Sequence, residues 1–317
     1  MGNIYTVTLN PAVDRELTVP KMAYDTVLRS SESRVDFGGK GFNVSRMLKS
    51  LGTDSVAIGF AGGKSGELLQ EGLESLGIDT DFVWVGGETR TNVSIVNEAH
   101  DHYLKVNEPG PSITKSEQQT LIEKITHLSQ PGDFWVLAGS LPPGLSAEIY
   151  AQLIEIIEDN GAKVVLDTSG EALAHGCKAA PFLVKPNQME IGNITGLTVD
   201  DSSDIIRAAE QLQQWGVGNV IVSLGKLGAV VKKGQQAWLV MSPAVQERNP
   251  IGAGDSMVGG LVWALNQNLG LLEAVGWGVA CGAAAASLSG TAVGTYQYVE
   301  ELVSQTRVRK LGEKTDG

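Results

Sequence analysis

Apolar and polar residues follow two different periods along this chain, and the two periods alternate. The segments IYTVTL, SVAIGF, DFWVLAG, KVVLD and NVIVSLG are short runs rich in apolar and β-branched residues, which is typical of buried strands. Between them, apolar residues recur every three or four positions, as in GFNVSRMLKSLG, where Val44, Met47, Leu48 and Leu51 share one helical face. Repeated strand–helix units predict an α/β protein in which helices cover both faces of a mainly parallel sheet.

Capping residues mark the ends of two of the predicted helices. The helical segment SGELLQEGLESLG ends at Gly77, and glycine is the residue most often found just after the last turn of a helix. Thr114 and Glu117 have the spacing of a capping box, in which each side chain accepts a hydrogen bond from the other residue's backbone amide. A helix is therefore predicted to begin directly after Thr114.

Two regions interrupt the alternation, at approximately residues 15–34 and 82–106. The second contains the strand-like segments DFVWV, TNVSIVN and HYLKV with only short turns between them. Together the two regions are expected to form a small antiparallel sheet that covers the main domain as a lid. No linker of low complexity and no internal repeat divides the chain, so residues 1–317 are predicted to form a single domain with this lid.

Composition places the chain among globular proteins with a sizeable core. It has 317 residues, of which 42% are hydrophobic and 19% are charged. The formal net charge of −12 argues against a general binder of nucleic acid or of membrane surfaces. Any phosphate that binds here must therefore be met by local lysine or arginine side chains, by backbone amides or by a metal ion.

Cysteine usage and apolar segments indicate a cytoplasmic protein. Cys177 and Cys281 are the only cysteines and form no CxxC pair, which excludes a disulfide scaffold and favours a reducing compartment. The N-terminal residues enter a strand pattern at once, so we expect no secretory signal. The stretch AVGWGVACGAAAASL is too short to span a bilayer and is better interpreted as a buried helix.

Two glycine-rich segments resemble nucleotide-binding motifs without matching them. IGFAGGKS, at residues 58–65, follows a predicted strand as a P-loop would, but Ile58 stands where the P-loop requires a glycine. GAGDSM has Met257 in place of the third glycine of a dinucleotide fingerprint, and it lies late in the chain. A nicotinamide oxidoreductase is therefore disfavoured.

Two loops at strand or helix ends are candidates for ligand contact. GGKG, at residues 38–41, opens the helix that carries Asn43, and its glycines allow a ligand to approach the backbone while Lys40 adds a positive charge. AGSLPPG presents the Ser140 hydroxyl at the carboxyl edge of a strand, where ligand sites of α/β proteins form. A tight helix-capping turn and an ordinary loop remain the alternatives.

Two further segments carry groups suited to a nucleotide and its metal ion. VKPNQMEI presents Lys185, Asn187 and Glu190, so that the ammonium group can meet phosphate while the two oxygen donors bind hydrated Mg²⁺. The alternative is a capped helix start with solvated charges. VSLGKLGA, at residues 222–229, forms either the floor of a nucleotide site or a simple hairpin.

The segment NPIGAGDSMVGG places one carboxylate, Asp255, within a glycine-rich turn at the start of an apolar helix. Gly252, Ala253 and Gly254 can direct successive amides toward one point and so create a site for negative charge. Aspartate at a helix start is usually an N-cap, which is the alternative. A phosphoryl-transfer enzyme uses both features, because the amides neutralise the transferred group while the carboxylate takes the proton of the incoming hydroxyl. The combination indicates a kinase.

Five motifs in one order, TLNPAVD, GGKGFNV, GSLPPG, VKPNQME and GAGDSMVGG, give the chain a specific family resemblance. Over nearly its whole length it resembles the ribokinase-like (PfkB) carbohydrate kinases, and it is most similar to the branch of 1-phosphofructokinases and tagatose-6-phosphate kinases. The resemblance implies a three-layer αβα sandwich with a β-sheet lid that often contributes to a dimer interface. It also implies ATP and Mg²⁺ as cofactors.

The resemblance assigns a role to each motif residue. It implies that Asp255 is the catalytic base and that Gly252, Ala253 and Gly254 form the anion hole. The implied substrate-binding residues are Asp14, Gly38, Gly39, Lys40, Asn43, Arg90 and Ser140, with Arg29 reaching the site from the lid of a second copy. The implied nucleotide-binding residues are Lys185, Asn187, Ser223, Gly225, Gly228, Gly254 and Gly282, and Asn187 and Glu190 match the Mg²⁺ positions.

The activity implied is ATP-dependent phosphorylation of a ketohexose monophosphate, with fructose 1-phosphate converted to fructose 1,6-bisphosphate. Tagatose-6-phosphate kinase is the near alternative. Lys40 replaces a glycine of the 6-phosphofructokinase-like branch, which favours the other two substrates. A sugar-phosphate sensor without activity is the non-enzymatic alternative. The expected partner is a small sugar phosphate, with no nucleic acid and no membrane, and a homodimer through the lid is possible.

Overall fold

The computed structural model describes residues 2–99 and 102–311. The strands, in chain order, are β1 (Ile4–Thr8), β2 (Ala12–Val19), β3 (Glu32–Gly38), β4 (Val56–Ala61), β5 (Asp79–Thr80), β6 (Val83–Trp84), β7 (Arg90–Asn97), β8 (Tyr103–Val106), β9 (Phe134–Ala138), β10 (Lys163–Asp167), β11 (Leu183–Val184), β12 (Asn219–Ser223), β13 (Gly228–Lys233), β14 (Gln236–Met241) and β15 (Arg307–Leu311). The helices are α1 (Lys40–Ser50), α2 (Gly63–Ser75), α3 (Lys115–Leu128), α4 (Ile149–Asp159), α5 (Gly170–Lys178), α6 (Gln188–Thr195), α7 (Ser202–Gln214), α8 (Ala253–Asn266), α9 (Leu271–Ala286) and α10 (Tyr296–Val303), with one 3₁₀ turn at Gly225–Leu227.

An eleven-stranded sheet forms the middle of the molecule. Its order is β15-β14-β13-β12-β11-β10-β9-β1-β4-β5, with β6 beside β4. The strands from β12 to β5 run parallel, whereas β13, β14 and β15 are antiparallel to their neighbours. The carboxyl ends of β1, β9, β10, β11 and β12 therefore meet along one edge, which is where ligands bind in open α/β sheets.

Side chains alternate between the two faces of this sheet, and each face has its own core. In β1, Tyr5 and Val7 pack with α3, α4, α5, α6 and α7, while Ile4 belongs to the core beneath α1, α8, α9 and α10. Helices thus cover both faces, and the predicted three-layer αβα architecture is confirmed. The near-continuous apolar strands follow from this arrangement, because a strand covered on both sides exposes neither set of side chains.

A second sheet, with the order β3-β2-β7-β8, stands apart from the first and occupies the place expected of the lid. The β2–β3 and β7–β8 pairs are antiparallel, but β2 and β7 are parallel, so the expectation of an antiparallel sheet is wrong. The reason is that both strands begin at the main domain, with Ala12 opposite Arg90, and run outward together. Val83–Trp84, which was expected in the lid, instead pairs with β4 in the central sheet.

Capping signals in the sequence correctly predict two helix ends, whereas two whole elements escape prediction. The capping box of Thr114 and Glu117 is present, and Gly77 has a φ of 72° after the end of α2. The edge strand β15 and the short helix α5 were not predicted. Cys177 and Cys281 are buried free thiols, as expected of a chain without disulfide bonds. Every helix in the described ranges is too short or too polar to cross a membrane.

Candidate active site

The turn before α8 presents backbone amides at the carboxyl edge of the central sheet. Gly252 is the N-cap residue and has a φ of 80°, in the left-handed region that favours glycine. The first hydrogen bond that spans a full helical turn runs from the Ser256 amide to the Gly252 carbonyl over 2.9 Å. The amides of Gly254 and Asp255 precede that bond and have no acceptor within the helix, so this turn can bind an anion.

The Asp255 carboxylate is buried and does not cap its own helix. Its exposed fraction is 8%, and the N-cap position belongs to Gly252, which makes no side-chain capping bond. The Nδ2 atom of Asn43 on α1 donates a hydrogen bond to Oδ2 of Asp255 over 2.8 Å. The N-cap role that stood as the alternative for Asp255 is therefore not what the structure shows. The carboxylate is held by a neighbouring helix instead.

Asp167, at the end of β10, joins two lysines of the site. Its exposed fraction is 2%, and its Oδ1 atom lies 3.4 Å from Nζ of Lys40 and 3.4 Å from Nζ of Lys185. A Cβ atom built on Gly254 would lie 3.6 Å from Nζ of Lys185, so this ammonium group also approaches the anion-binding turn. Asp167 was not among the predicted site residues. The available signal was a carboxylate directly after the buried run KVVL, at the ligand-binding edge of the sheet.

The electrostatics of this cluster favour a base that is ionised near neutral pH. Burial, and next the negative charge of Asp167, raise the pKa of Asp255 to about 6, against the opposing effects of Lys40, Asn43 and Lys185. Burial works against the charge of Lys40, but the carboxylates of Asp167, Asp255 and Glu190 raise its pKa overall. The site thus holds a carboxylate that is more basic than usual beside the positively charged Lys40.

The sugar-binding residues assigned by resemblance gather where the lid meets α1. Gly38 lies so close to Asp14 that a Cβ atom on it would be 2.0 Å from Oδ2 of that carboxylate, and Gly39 has a φ of 150°. Oδ1 of Asp14 accepts a hydrogen bond from Nδ2 of Asn92 on β7 over 2.8 Å. The glycines therefore permit the close approach that the sequence suggested, and Asn92 fixes the carboxylate of Asp14.

Arg90, Ser140 and Arg29 lie in three different settings. The guanidinium group of Arg90 donates to the backbone carbonyls of Asn10, Pro11 and Glu108 over 2.8, 3.4 and 3.2 Å. Desolvation lowers its pKa, partly offset by Asp14. Ser140 is exposed just after β9, and Arg29 is exposed in the connection between β2 and β3. The structure therefore brings Arg90 to the lid–core junction and leaves Arg29 on the lid surface.

A cavity of about 580 Å³ opens beside the α8 turn and has the size of a small-ligand pocket. It brings together six of the seven residues assigned to the nucleotide, which are Asn187, Ser223, Gly225, Gly228, Gly254 and Gly282. Lys185 does not line it. Met257, Val279 and Ala283 supply an apolar wall, which suits an aromatic base. The hairpin alternative for VSLGKLGA also holds, because β12 and β13 pair antiparallel, and the same hairpin lines the cavity.

The motif VKPNQME forms a capping box, which is the structural alternative proposed for it. Oδ1 of Asn187 accepts from the Glu190 amide and Oε2 of Glu190 accepts from the Asn187 amide, each over 2.8 Å. No group of three or more His, Cys, Asp or Glu in the described part of the chain is arranged to hold a metal ion. One carboxylate and one amide oxygen nevertheless fit Mg²⁺, which keeps most of its waters and binds nucleotide phosphates.

The P-loop-like segment IGFAGGKS binds a carboxylate of the same chain. Oε1 of Glu88 accepts a hydrogen bond from the Ser65 amide at the start of α2 over 2.6 Å. The backbone hydrogen bond from Ser65 is the largest cause that lowers the pKa of the Glu88 carboxyl. A carboxylate thus fills the position that a phosphate would take, and this turn does not serve as a phosphate loop in the structure.

Comparisons with known proteins agree on one family. The model of the pfkB family carbohydrate kinases matches residues 7–296. A 1-phosphofructokinase of Rhodobacter capsulatus is 40% identical over 271 residues, which is 85% of this chain and 86% of that protein. A 1-phosphofructokinase of Bacillus subtilis is 36% identical and covers 97% of this chain and 100% of its own length.

A solved structure extends the similarity to the fold. Escherichia coli phosphofructokinase-2 in complex with potassium is 32% identical and superposes with a TM-score of 0.91 over 96% of this chain and 99% of that one. The same protein in complex with fructose-6-phosphate gives a TM-score of 0.89.

Proposed function

The chain belongs to the pfkB family of carbohydrate kinases, and we propose that it transfers the γ-phosphoryl group of ATP to fructose 1-phosphate, forming fructose 1,6-bisphosphate and ADP. The observation that carries this proposal is the position of Asp255. It is a buried carboxylate that lies beside free helix amides, next to the 580 Å³ cavity on one side and the lid junction on the other. A kinase requires a base between its two substrates.

The cavity fits the nucleoside part of ATP. Its apolar wall accepts the base, and Gly225 and Gly228 let the ligand lie against the β12–β13 hairpin. The triphosphate then extends toward Gly254, where the α8 amides and the ammonium group of Lys185 neutralise its charge. Asn187 and Glu190 would hold hydrated Mg²⁺, which supplies further neutralisation of the phosphate oxygens when it is bound.

Asp255 acts on the acceptor hydroxyl. Above its pKa of about 6 the carboxylate is ionised and can take the hydroxyl proton as the oxygen attacks the γ-phosphorus. Asn43 holds one carboxylate oxygen by its 2.8 Å hydrogen bond and so fixes the direction of the other. The negative charge that grows on the transferred group meets the Gly254 and Asp255 amides, which are already oriented and need no reorganisation.

The sugar phosphate is expected at the junction of lid and core. Asp14 would accept hydrogen bonds from sugar hydroxyls, and Lys40 adds a positive charge near the acceptor. Arg90 and Ser140 would bind the phosphate that the substrate already carries. Fructose 1-phosphate is the expected substrate because the relatives at 40% and 36% identity are 1-phosphofructokinases. Tagatose 6-phosphate and fructose 6-phosphate remain the alternatives, the latter because phosphofructokinase-2 has been solved with it.

A substrate panel tests this proposal. ADP release is measured with ATP, Mg²⁺ and each of fructose 1-phosphate, tagatose 6-phosphate and fructose 6-phosphate. We expect the highest kcat/KM with fructose 1-phosphate. A higher value with another member would replace the substrate, whereas binding without ADP release from any member would identify a sensor instead of a kinase.

The variant Asp255→Asn tests the assignment of the base. It keeps the size of the side chain and an oxygen that can accept from Asn43, but it cannot take a proton. We expect kcat to fall by at least about 10³-fold while the Kd for ATP changes little. Near-normal kcat in this variant would show that Asp255 is not the base.

The lid supports a homodimer in this proposal. Apolar side chains are exposed on it, namely Tyr24, Val27, Tyr103, Leu104 and Val106, with exposed fractions of 83, 78, 76, 43 and 57%. Isolated exposed apolar residues are normal, but a concentration of them on β8 and on the connection between β2 and β3 marks an interaction surface. A second copy seated there would bring its own Arg29 toward the substrate phosphate.

A further inference from the structure

We propose that Asn10, which follows β1, is a positioning residue that holds the phosphate-binding end of the sugar site together. This inference rests on the proposed function. Asn10 is 95% buried, with an exposed fraction of 5%, and it lies between the carboxyl end of the central sheet and the base of the lid. The reaction described above gives it no role.

The side chain of Asn10 joins two loops that come from distant parts of the chain. Its Nδ2 atom donates to the Pro109 carbonyl over 3.1 Å and to the Leu141 carbonyl over 3.3 Å. Leu141 directly follows Ser140, so the second bond fixes the loop that presents this hydroxyl. An amide nitrogen has two protons, and both are used here to connect the loops.

The backbone of Asn10 holds the third component, Arg90. Its carbonyl accepts from Nη2 of Arg90 over 2.8 Å, while Nη1 of Arg90 donates to the Glu108 carbonyl, one residue before Pro109. Asn10 thus positions both groups that we assign to the substrate phosphate, Arg90 through its backbone carbonyl and the loop of Ser140 through its side chain. Loss of its side chain removes both of these side-chain hydrogen bonds. The loop that holds Arg90 then contacts the loop of Ser140 through the backbone bond from the Ile113 amide to the Pro143 carbonyl, over 2.9 Å, which lies farther from Arg90.

The chain packs closely around the side-chain amide of Asn10. Gly110 has a φ of 91°, and a Cβ atom on it would lie 2.2 Å from Oδ1 of Asn10. That oxygen is buried and, in the described part of the chain, accepts no hydrogen bond. The molecule therefore tolerates an unpaired buried oxygen, which costs free energy, in order to place the two donor protons.

The variant Asn10→Ala tests the inference through Michaelis constants, which do not depend on how much of a preparation is folded. We expect the KM for fructose 1-phosphate to rise about tenfold or more while the KM for ATP stays within about twofold, because only the sugar phosphate meets Arg90 and Ser140. Equal changes in both constants, or no change in either, would overturn the inference.

Asn219→Ala provides a matched control. Asn219 has an exposed fraction of 6%, donates from Nδ2 to the Phe182 carbonyl over 2.9 Å and also has an unpaired Oδ1, but it lies at the far end of β12 from the site. This variant should lose stability without changing either KM. A rise in the KM for fructose 1-phosphate here as well would assign the effect of Asn10→Ala to general loosening of the fold.

Gly110→Ala perturbs the same contact from the opposite side, and it should also raise the KM for fructose 1-phosphate selectively. In an Arg90→Lys background, the further effect of Asn10→Ala should be smaller than in the wild type, since residues that act together are not additive, and the part that remains acts through the loop of Ser140. Full additivity would contradict an action through Arg90. If the wild-type protein does not phosphorylate fructose 1-phosphate at all, the proposed function fails, and that outcome is distinct from failure of the role of Asn10.

Discussion

Asp255 is buried and lies near the like charge of Asp167. We therefore expect the activity of the protein to depend on pH around the raised pKa of this carboxylate. The carboxylate must be ionised to take a proton, and its pKa is raised to about 6. We expect kcat/KM for the sugar phosphate to be constant above this pH and to fall about tenfold for each pH unit below it. A pH–rate profile with saturating ATP measures this. A profile that stays flat down to pH 4.5 would contradict the raised pKa.

Asp167 allows a test of the cause of that shift. Its negative charge raises the pKa of Asp255, and it also holds Lys40 and Lys185, whose charges lower that pKa. In Asp167→Asn the like charge is absent and both lysines remain, so the acid limb of the profile should move to lower pH. The maximal kcat should also fall, because the two ammonium groups lose their common partner. A limb that stays near pH 6 would assign the shift to burial alone.

The same burial predicts a gain in stability when Asp255 is replaced. A carboxyl group whose pKa rises from 3.8 to about 6 on folding stabilises the folded state below pH 4, and that contribution is lost as pH rises through 6. The shift corresponds to about 3 kcal/mol as an order of magnitude. The free energy of unfolding of Asp255→Asn should therefore exceed that of the wild type by more at pH 8 than at pH 4. Urea unfolding at the two pH values measures the difference, and a difference that does not change with pH would contradict the ionised, buried state.

Among single residues, the sequence predicts those that have an unusual backbone conformation or an unexpected chemical group for their position. Gly252 and Gly39 were identifiable because turns of positive φ leave glycine in the sequence, and Asp255 because a carboxylate in an anion-binding turn is chemically unexpected. Asp167 was not, since an aspartate after a strand has many uses, and its meaning comes from two lysines that are 127 and 18 residues away along the chain. Asn10 was missed for the same reason. Its role consists of contacts with loops that only the folded chain brings together.

At the scale of elements, the position of the turn before α8 depends on how closely α8 and α9 pack. A Cβ atom on Gly278 would lie 2.7 Å from the Met257 carbonyl, and one on Gly282 would lie 3.0 Å from the Ala253 carbonyl. The two glycines of α9 therefore bring it against the backbone of α8 within one turn of Asp255. The small residues of the segment AVGWGVACGAAAASL set this distance.

Gly278→Ala should thus lower both stability and kcat. The added methyl group meets backbone that cannot rotate away, which we expect to cost about 1–3 kcal/mol in the free energy of unfolding and to displace the α8 turn. Gly276→Ala is the control, because its Cβ atom would meet only Oγ1 of Thr306, at 3.5 Å. That variant should gain up to about 1 kcal/mol from helix propensity and keep its kcat. Denaturant unfolding and steady-state kinetics separate the two outcomes.

Helix and strand patterns in the sequence were reliable wherever a segment was long and buried on a known face. They failed at short or exposed elements. β6 has two residues and was assigned to the lid, because nothing in DFVWV distinguishes pairing with β4 from pairing with β7. β15 has four exposed residues out of five and thus lacks the apolar alternation of a strand. Its strand conformation comes from pairing with β14.

At the scale of the whole molecule, the exposed apolar residues of the lid predict a homodimer that one introduced charge would dissociate. Leu104 has an exposed fraction of 43% on β8, so Leu104→Arg should leave the folded monomer intact while it disrupts a lid-to-lid dimer. Light scattering after gel filtration measures the mass. Val308→Arg, on β15 and 51% exposed, is the matched control and should keep the wild-type mass. A wild-type protein that is monomeric at assay concentration would contradict the dimer.

Activity in mixtures tests whether Arg29 acts on a neighbouring subunit. Asp255→Asn and Arg29→Ala should each be impaired alone. If Arg29 serves the second copy, refolding the two variants together should restore part of the activity, because a mixed dimer contains one site with both groups. Absence of any recovery in mixed dimers of confirmed mass would place Arg29 in its own subunit's site or outside the reaction.

The antiparallel strand at the end of the central sheet has a consequence for self-association in crowded solution. An edge strand offers unpaired main-chain groups as a template on which another polypeptide can extend the sheet, a step toward fibres. β15 carries Arg307, Arg309 and Lys310, and two such strands laid side by side would place cation against cation. At the opposite end β5 and β6 offer only two residues each. Growth of this sheet from molecule to molecule is therefore opposed at both margins, even though the protein as a whole is acidic.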